Sequence, residues 1–308
     1  MKKLKLFKDF IEAKKYEEYI LFNYPLKNYT TIKTGGPAKC LVEPSNIDIL
    51  KDIFSFICKN EIDYNIIGNG SNLLISDKGF DGVVISIKNI PKKIYTEGNY
   101  LFVTGNIEVP YILKKCQEFQ LHGLEFLSGI PGMLGGMVEM NAGAFDYSIG
   151  DTIYEIVIID QDGNLIKISS NDIQFDYRKI DIKKNNYVII GAIFEMKKES
   201  QIKIKDLCEE YFNRRSSKFI LNYCTFGSVF KNGENYHAGE LIDKCGLKGY
   251  RIGDAQIFSK HANFIINLGN ATSYNIYQLI NKMKEEVLDK FNIILEPEVR
   301  FWGDFSDE

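Results

Sequence analysis

The chain has 308 residues, 45% of them apolar and 26% charged, and a formal net charge of -3. That length exceeds what one small core holds, so two or three units are expected, and the charge supplies no broad basic field for nucleic acid. The six cysteines form no CxxC pair and the three histidines, His122, His237 and His261, share no helical face, which argues against a zinc ribbon, a redox dithiol or a zinc hydrolase. No metal is expected.

In chain order, Asp9, Glu12, Glu17 and Glu18 interrupt any apolar run between Met1 and Tyr24 that could act as a secretory signal. No span approaches a membrane helix, so a cytoplasmic address without membrane contact is expected. Ser45 is placed to cap an amphipathic helix that runs to Asn60, with Ile47, Leu50, Ile53, Phe54 and Ile57 on its apolar face. Tyr64–Ile67, Leu73–Ser76 and Val83–Ile87 read as short strands between Gly, Asn and Asp turns. A second helix is expected over Glu108–Phe119. Ile153–Ile168 alternates as a hairpin turning at Asp162-Gly163, and Tyr187–Met196 supplies a further strand. Beyond residue 200 or so helical character returns, over Asp206–Arg215, over Ala238–Cys245 ahead of Gly246, and over Ser273–Phe291. Val299–Trp302 closes the chain as a strand.

Gly68-Asn69-Gly70-Ser71-Asn72 follows an apolar strand. Its glycines let backbone N–H groups approach an anion, and an ordinary tight turn fits the pattern equally well. A Rossmann fingerprint would need a third glycine at Leu73 and a helix after it, where a strand is expected instead. The stretch Gly129-Ile130-Pro131-Gly132-Met133-Leu134-Gly135-Gly136, continued by Asn141-Ala142-Gly143-Ala144, places five glycines between positions 129 and 143 among apolar residues. Such density suits close approach of backbone to a large planar or phosphorylated ligand, while a glycine-rich helix packed on a strand is the bland alternative.

Three further stretches carry polar groups. In Phe226-Gly227-Ser228-Val229-Phe230-Lys231-Asn232, Ser228 suits a nucleophile or proton donor, yet no GxSxG elbow is present and a serine bonding its own turn is commoner. Asp176-Tyr177-Arg178 and Glu296-Pro297-Glu298-Val299-Arg300 lie near strand ends, with solvated ion pairs as their default role. If the latter is extended, Glu296 and Glu298 share one face and spacing does not choose between them. Leu247 to Gly253 and Ser259 to Phe264 combine cations, amides and aromatics that suit a phosphorylated sugar ligand or, equally, a solvated basic face.

Taken in order, Asn28 through Thr34-Gly35-Gly36-Pro37-Ala38, Gly68 through Leu74, Gly129 through Ala144, Gly227 through Asn232, Leu247 through Phe264 and Leu295 through Arg300 resemble the motifs of the UDP-N-acetylenolpyruvoylglucosamine reductase (UDP-N-acetylmuramate dehydrogenase) family. The resemblance implies an α+β fold: a two-lobed FAD-binding domain of the vanillyl-alcohol-oxidase-like kind, followed by a smaller α+β substrate-binding domain. Residues 1–88 would form the first lobe, joined by the returning strand at 299–308, residues 89–200 the second, and 201–298 the substrate domain.

The same resemblance implies noncovalent FAD held by Gly68, Asn69, Gly70, Ser71 and Asn72 and by Gly129, Gly132, Gly135, Gly136, Asn141 and Gly143. NADPH would reduce the flavin, and UDP-N-acetylglucosamine enolpyruvate would then accept hydride on its methylene carbon. By the family pattern Arg178 stabilises the developing charge, Ser228 delivers the proton and Glu298 assists it, with Asn232, Lys248 and His261 binding substrate. A monomeric cytoplasmic enzyme of peptidoglycan precursor synthesis, serving cell-wall biogenesis, cell shape and division, is the expectation. Asn69 departs from the glycine often found in the family. The segment Phe219–Thr225 lacks the usual Gln-Pro punctuation, and the short connection from Arg178 to Ser228 matches members without a substrate-capping insertion. A flavin oxidase of the same wider fold and a non-enzymatic flavin-binding protein are the competing expectations.

Overall fold

Helix formation begins earlier than the acidic N-terminal residues indicate. In the computed structural model, which describes residues 2–216 and 223–306, helix α1 spans Lys2–Lys14 and buries Phe7 and Ile11, four residues apart, in the cluster that takes Leu50, Ile53, Phe54 and Ile57 from helix α2 (Ile47–Lys59). Phe10 stacks on Phe56 with ring centroids 3.9 Å apart. Each fully buried aliphatic or aromatic side chain on these faces contributes roughly 2 kcal/mol. The cap of α2 is Asn46 rather than Ser45. Asn46 has extended backbone, and its side-chain oxygen accepts the Ile49 N–H at 3.0 Å.

The α+β chain resolves into two compact units. The first comprises Met1–Leu21, Cys40–Gly68 and Gly82–Arg215. Its largest sheet is antiparallel, with strands in the order Leu165–Ser169, Ile153–Asp160, Tyr187–Glu195, Tyr100–Thr104 and Ile94–Glu97. The expected hairpin forms because the Asp160 carboxylate accepts the N–H groups of Asp162 and Asn164 at 3.0 and 2.9 Å, with Gly163 at φ 81° closing the turn. Helix α3 (Val109–Phe119) begins after an extended Glu108 with proline in its first turn, and the short α4 (Leu134–Glu139) lies within the second glycine stretch and contains Gly135 and Gly136. Leu101, Val103, Ile112, Leu134, Val138 and Phe194 meet in one core. Helix α5 (Gln201–Ser216) starts five residues before the expected Asp206 and buries Ile204.

The second unit comprises Phe22–Lys39, Asn69–Asp81 and Ser216–Glu308, and the chain passes from one unit to the other within the strands Ile20–Pro25, Pro37–Val42 and Phe80–Ser86. Helix α6 (Ala238–Lys244) stops where Gly246 takes φ 75°. Helix α7 spans Ser273–Phe291 as its periodicity predicts. A Thr272/Asn275 capping box opens it, and the Asp77 carboxylate accepts the Ser273 and Tyr274 N–H groups at 3.0 Å each. Its face, Ile276, Leu279, Ile280, Met283 and Val287, is buried with Phe226, Val229, Phe230 and Ile257. The final strand, Arg300–Trp302, pairs in parallel with Leu73–Ile75. Of the Phe219–Thr225 segment, residues 219–222 lie outside the described residues. Among the described residues no helix is long and apolar enough to cross a membrane.

Candidate functional site

In the first unit Arg178 stands at a two-residue turn, because Asp176 and Lys179 are cross-strand partners of a short hairpin. Its φ is 61°, the left-handed region, which costs a non-glycine residue about 1 kcal/mol or more. Asn141 holds the turn: its Nδ2 donates to the Asp176 carbonyl at 2.9 Å while its Oδ1 accepts the Gly150 N–H at 3.0 Å. One side-chain amide thus ties the arginine hairpin to the end of the glycine stretch.

Packing accounts for some glycines of that stretch and not for others. A Cβ on Gly129 would lie 2.8 Å from Arg215 Cδ, and one on Gly135 would lie 3.3 Å from the Gly105 carbonyl, to which Gly135 N–H donates at 2.8 Å. Gly143 faces Ser148 across a short hairpin, where a Cβ would come within 2.5 Å of the Tyr147 carbonyl, and the Gly132 carbonyl accepts the Val109 N–H at 3.4 Å. Gly136 has nothing within 4 Å of a Cβ, and Gly68 only Met133 Cβ at 3.9 Å. At these two positions the backbone is left approachable, which fits a ligand lying against it.

Sequence reading missed one group here. Arg215, in the last turn of α5, donates from Nε to the Ser128 carbonyl at 2.9 Å, immediately before Gly129. Burial first, and then the nearby positive charge of Arg178, pulls its pKa down to about 10. The signal was the pair Arg214-Arg215, one residue after Tyr211-Phe212, at a helix end.

In the second unit Gly70 has φ 56°, and a Cβ there would sit 2.1 Å from the Tyr29 carbonyl, so the turn it shares with Asn69 and Ser71 admits only glycine. Asn72 donates from Nδ2 to the Glu298 carbonyl at 3.0 Å, and the Glu298 N–H donates to the Val229 carbonyl at 2.8 Å. Ser228 bridges to Phe264, and Val229 N–H donates to the Asn263 carbonyl at 2.9 Å. The buried Asn263 side chain accepts the Phe230 N–H at 3.0 Å and donates to the Phe230 carbonyl at 2.8 Å. One backbone network therefore brings Asn72, Ser228 and Glu298 together.

That network also separates the two carboxylates that spacing leaves tied. Lys231 Nζ pairs with Glu296 Oε1 at 2.5 Å, on a side chain that is 69% exposed, whereas Glu298 is half-buried beside Val229. The Asn232 side chain accepts the Ala238 N–H at 3.1 Å and so serves the start of α6. His261 Nδ1 accepts the Asn263 N–H at 3.3 Å, with its ring edge-on to Phe264. Lys248 is held apart from these, in an ion pair with Asp243 at 2.5 Å. A cavity of about 380 Å³ beside α7 contains none of the expected site residues. Among the described residues no cluster of three His, Cys, Asp or Glu could hold a metal ion.

Known proteins resemble this chain along nearly all its length. The family model described as UDP-N-acetylenolpyruvoylglucosamine reductase, C-terminal domain, matches residues 220–302, and one described as FAD binding domain matches residues 38–169. A Clostridium novyi protein named UDP-N-acetylenolpyruvoylglucosamine reductase is 40% identical over 291 residues, 94% of each chain. One of the same name from Caldicellulosiruptor saccharolyticus is 40% identical over 284 residues, 92% of this chain and 91% of that one. The solved UDP-N-acetylenolpyruvylglucosamine reductase of Thermus caldophilus superposes with a TM-score of 0.77 at 30% identity, over 92% of this chain and 98% of that chain.

Proposed function

The chain belongs to the UDP-N-acetylenolpyruvoylglucosamine reductase family, and we propose that Arg178, Ser228 and Glu298 carry the chemistry of its reaction. It is an FAD-containing, NADPH-dependent oxidoreductase that reduces UDP-N-acetylglucosamine enolpyruvate to UDP-N-acetylmuramate in peptidoglycan precursor synthesis. The observation that carries this conclusion is 40% identity spanning 94% of the chain.

FAD would be held by Gly68 to Asn72 and by Gly129, Gly132, Gly135, Gly136, Asn141 and Gly143. The approachable backbone at Gly68 and Gly136 supports this reading. Neither glycine stretch contains a His or Cys that could attach the cofactor, in keeping with noncovalent binding. The chemistry FAD supplies when bound is passage of a hydride from NADPH to the enolpyruvyl methylene carbon.

Hydride addition leaves negative charge on the neighbouring carbon and its carboxylate. The Arg178 guanidinium answers that charge, and its strained turn, pinned by Asn141, sets the cation in place beforehand, which is where electrostatic stabilisation gains most. The Ser228 hydroxyl then gives its proton to the carbanionic carbon, a transfer a serine can make only to a strongly basic centre at contact distance. Glu298 assists that delivery, and Glu296 does not compete because Lys231 holds it in an ion pair. Asn232 and His261 offer neutral polar groups to the uridine and diphosphate, and Lys248 exchanges Asp243 for a phosphate oxygen. The enzyme works as a cytoplasmic monomer, serving cell shape and division.

Steady-state turnover tests the proposal. FAD-loaded protein should consume NADPH only when the enolpyruvyl substrate is present and yield a product heavier by two hydrogens in mass spectrometry. Substrate-independent NADPH consumption that tracks oxygen would contradict it.

A further inference from the structure

Helix α7 turns its buried stripe to the core and a second face to a cavity of about 380 Å³ in the second unit. Tyr277, Asn281 and Lys284, spaced four and then three apart, line it from the helix, and Pro297, Phe301 and Phe305 line it from the end of the chain. The rings are set against one another. Tyr277 stacks on Phe305 with centroids 4.9 Å apart, and Phe301 stands edge-on to both, at 5.9 and 5.7 Å. All three are half-buried, so the apolar wall is formed before anything lies on it. A volume of this size, with an aromatic lining and few polar groups, has the character of a small-molecule site.

Among the described residues neither the Asn281 amide nor the Lys284 ammonium has a hydrogen-bond or ion-pair partner. The other lysines of α7 are committed: Lys282 pairs with Glu286 at 2.7 Å, and Lys290 donates to the Lys244 carbonyl at 2.6 Å. The acid of the cavity, Asp304, is also engaged. Its Oδ1 accepts the Ser306 N–H at 2.8 Å and the Ser306 hydroxyl at 2.6 Å, and its Oδ2 lies 3.8 Å from Lys78 Nζ. One unshared cation and one open amide at the edge of an aromatic wall suit a planar apolar body that ends in a carboxylate. With Asp304 in the same lining, a single negative charge fits better than the two of a phosphate monoester.

Glu298 lies on the chain between two of the lining residues. Pro297 bridges to Phe230, and the Glu298 N–H donates to the Val229 carbonyl at 2.8 Å. Phe301 pairs with Leu74, two residues past the Asn72 whose amide donates to the Glu298 carbonyl at 3.0 Å. We propose that the cavity binds a small aromatic monocarboxylate, its ring on Tyr277, Phe301 and Phe305 and its carboxylate at Lys284 and Asn281, and that occupancy shifts the segment that places Glu298. Resting on the reading of Glu298 as assisting proton delivery, this makes reduction of the enolpyruvyl substrate responsive to the occupant and leaves reduction of the flavin by NADPH alone.

The test uses FAD-loaded protein and 2-naphthoate as the probe, with Lys284→Gln, Asn281→Asp and, as control, Lys282→Gln. Isothermal titration should show saturable 2-naphthoate binding that Lys284→Gln weakens about tenfold and Lys282→Gln leaves unchanged. Asn281→Asp, which sets a like charge beside the carboxylate, should weaken it at least as much. The neutral 2-naphthamide should bind wild type and Lys284→Gln equally. In single-turnover absorbance, saturating 2-naphthoate should change the rate of substrate reduction in wild type, leave flavin reduction by NADPH unchanged, and do neither in Lys284→Gln at the same concentration. No saturable binding by wild type, or equal 2-naphthoate affinity in Lys284→Gln, overturns the site. Binding that leaves substrate reduction unmoved overturns the link to Glu298. An effect that survives in Lys284→Gln and fades with excess substrate puts the probe at the active site and overturns both. Should Lys284→Gln fail to fold, Asn281→Asp decides in its stead. Wild-type protein that does not reduce the substrate even without the probe sinks the parent reading, while the titrations still decide the site.

Discussion

Gly70 in the turn of the first glycine motif and Gly136 in α4 have similar sequence credentials, each sitting in a glycine-rich stretch that follows apolar residues. Their surroundings are opposite. A methyl group on Gly70 would overlap the Tyr29 carbonyl at 2.1 Å in a left-handed backbone, whereas one on Gly136 would meet no atom within 4 Å. The first glycine is required by the fold. The second is unexplained by the fold, and the proposed FAD contact is what would supply the reason.

The contrast is broken most severely at Gly70. Gly70→Ala should cost about 4 kcal/mol, from backbone overlap added to left-handed strain, and lower the thermal midpoint of apo protein by many degrees. A midpoint within a degree of wild type would show that Tyr29 and its neighbours yield easily.

Ser228 extends the comparison to a side chain whose backbone, not its hydroxyl, carries the network with Phe264. Ser228→Ala should leave FAD binding and flavin reduction by NADPH intact and slow substrate reduction by roughly 10²- to 10⁴-fold. Single-turnover traces separate the two half-reactions, and an unaffected second half would remove the hydroxyl from the mechanism.

Gly136→Ala sharpens the distinction because its two effects have opposite signs. Apo protein should gain about 0.5–1 kcal/mol from helix propensity in α4, while FAD affinity falls about tenfold. Equal FAD affinity in isothermal titration would return Gly136 to the class of merely tolerated glycines.

The smallest effect concerns the buried thiols, and it vanishes at neutral pH. Burial pushes Cys40 and Cys208 up to about 11 from an ordinary value of 9.0. Between those values the folded state holds protons that the unfolded chain has released, so stability falls as pH rises from about 9 to 11 and is flat below. Melting curves across that range should show the decline, and the Cys40→Ala/Cys208→Ala pair should lessen it, with the remainder left to Cys58 and Cys116, which burial also raises.

Elements set by local periodicity were legible in the chain. The face of α7 and its bounds, the Asp162-Gly163 hairpin and the helix stop at Gly246 all follow from residues within a few positions of one another. The helix α1 escaped because its acidic residues were weighed against a signal sequence while Phe7 and Ile11, four apart, went uncounted. Asn46 displaced Ser45 because a cap is decided by which residue takes the extended backbone, a matter of one position.

At the site, residue types were legible and partnerships were not. Glu296 and Glu298 share a face in any extended reading, and only the position of Lys231 tells them apart. Arg215 reaches a carbonyl 87 positions away, a distance over which no spacing rule operates. Lys248 reads as a cation available to a ligand, yet it stands paired with Asp243.

The most direct measurement is anaerobic stopped-flow absorbance of FAD-loaded protein, first mixed with NADPH and then with UDP-N-acetylglucosamine enolpyruvate. Bleaching of the flavin band on the first mixing and its return on the second, without oxygen, is the predicted result. A flavin that bleaches but regains its colour only when oxygen is admitted would contradict the account.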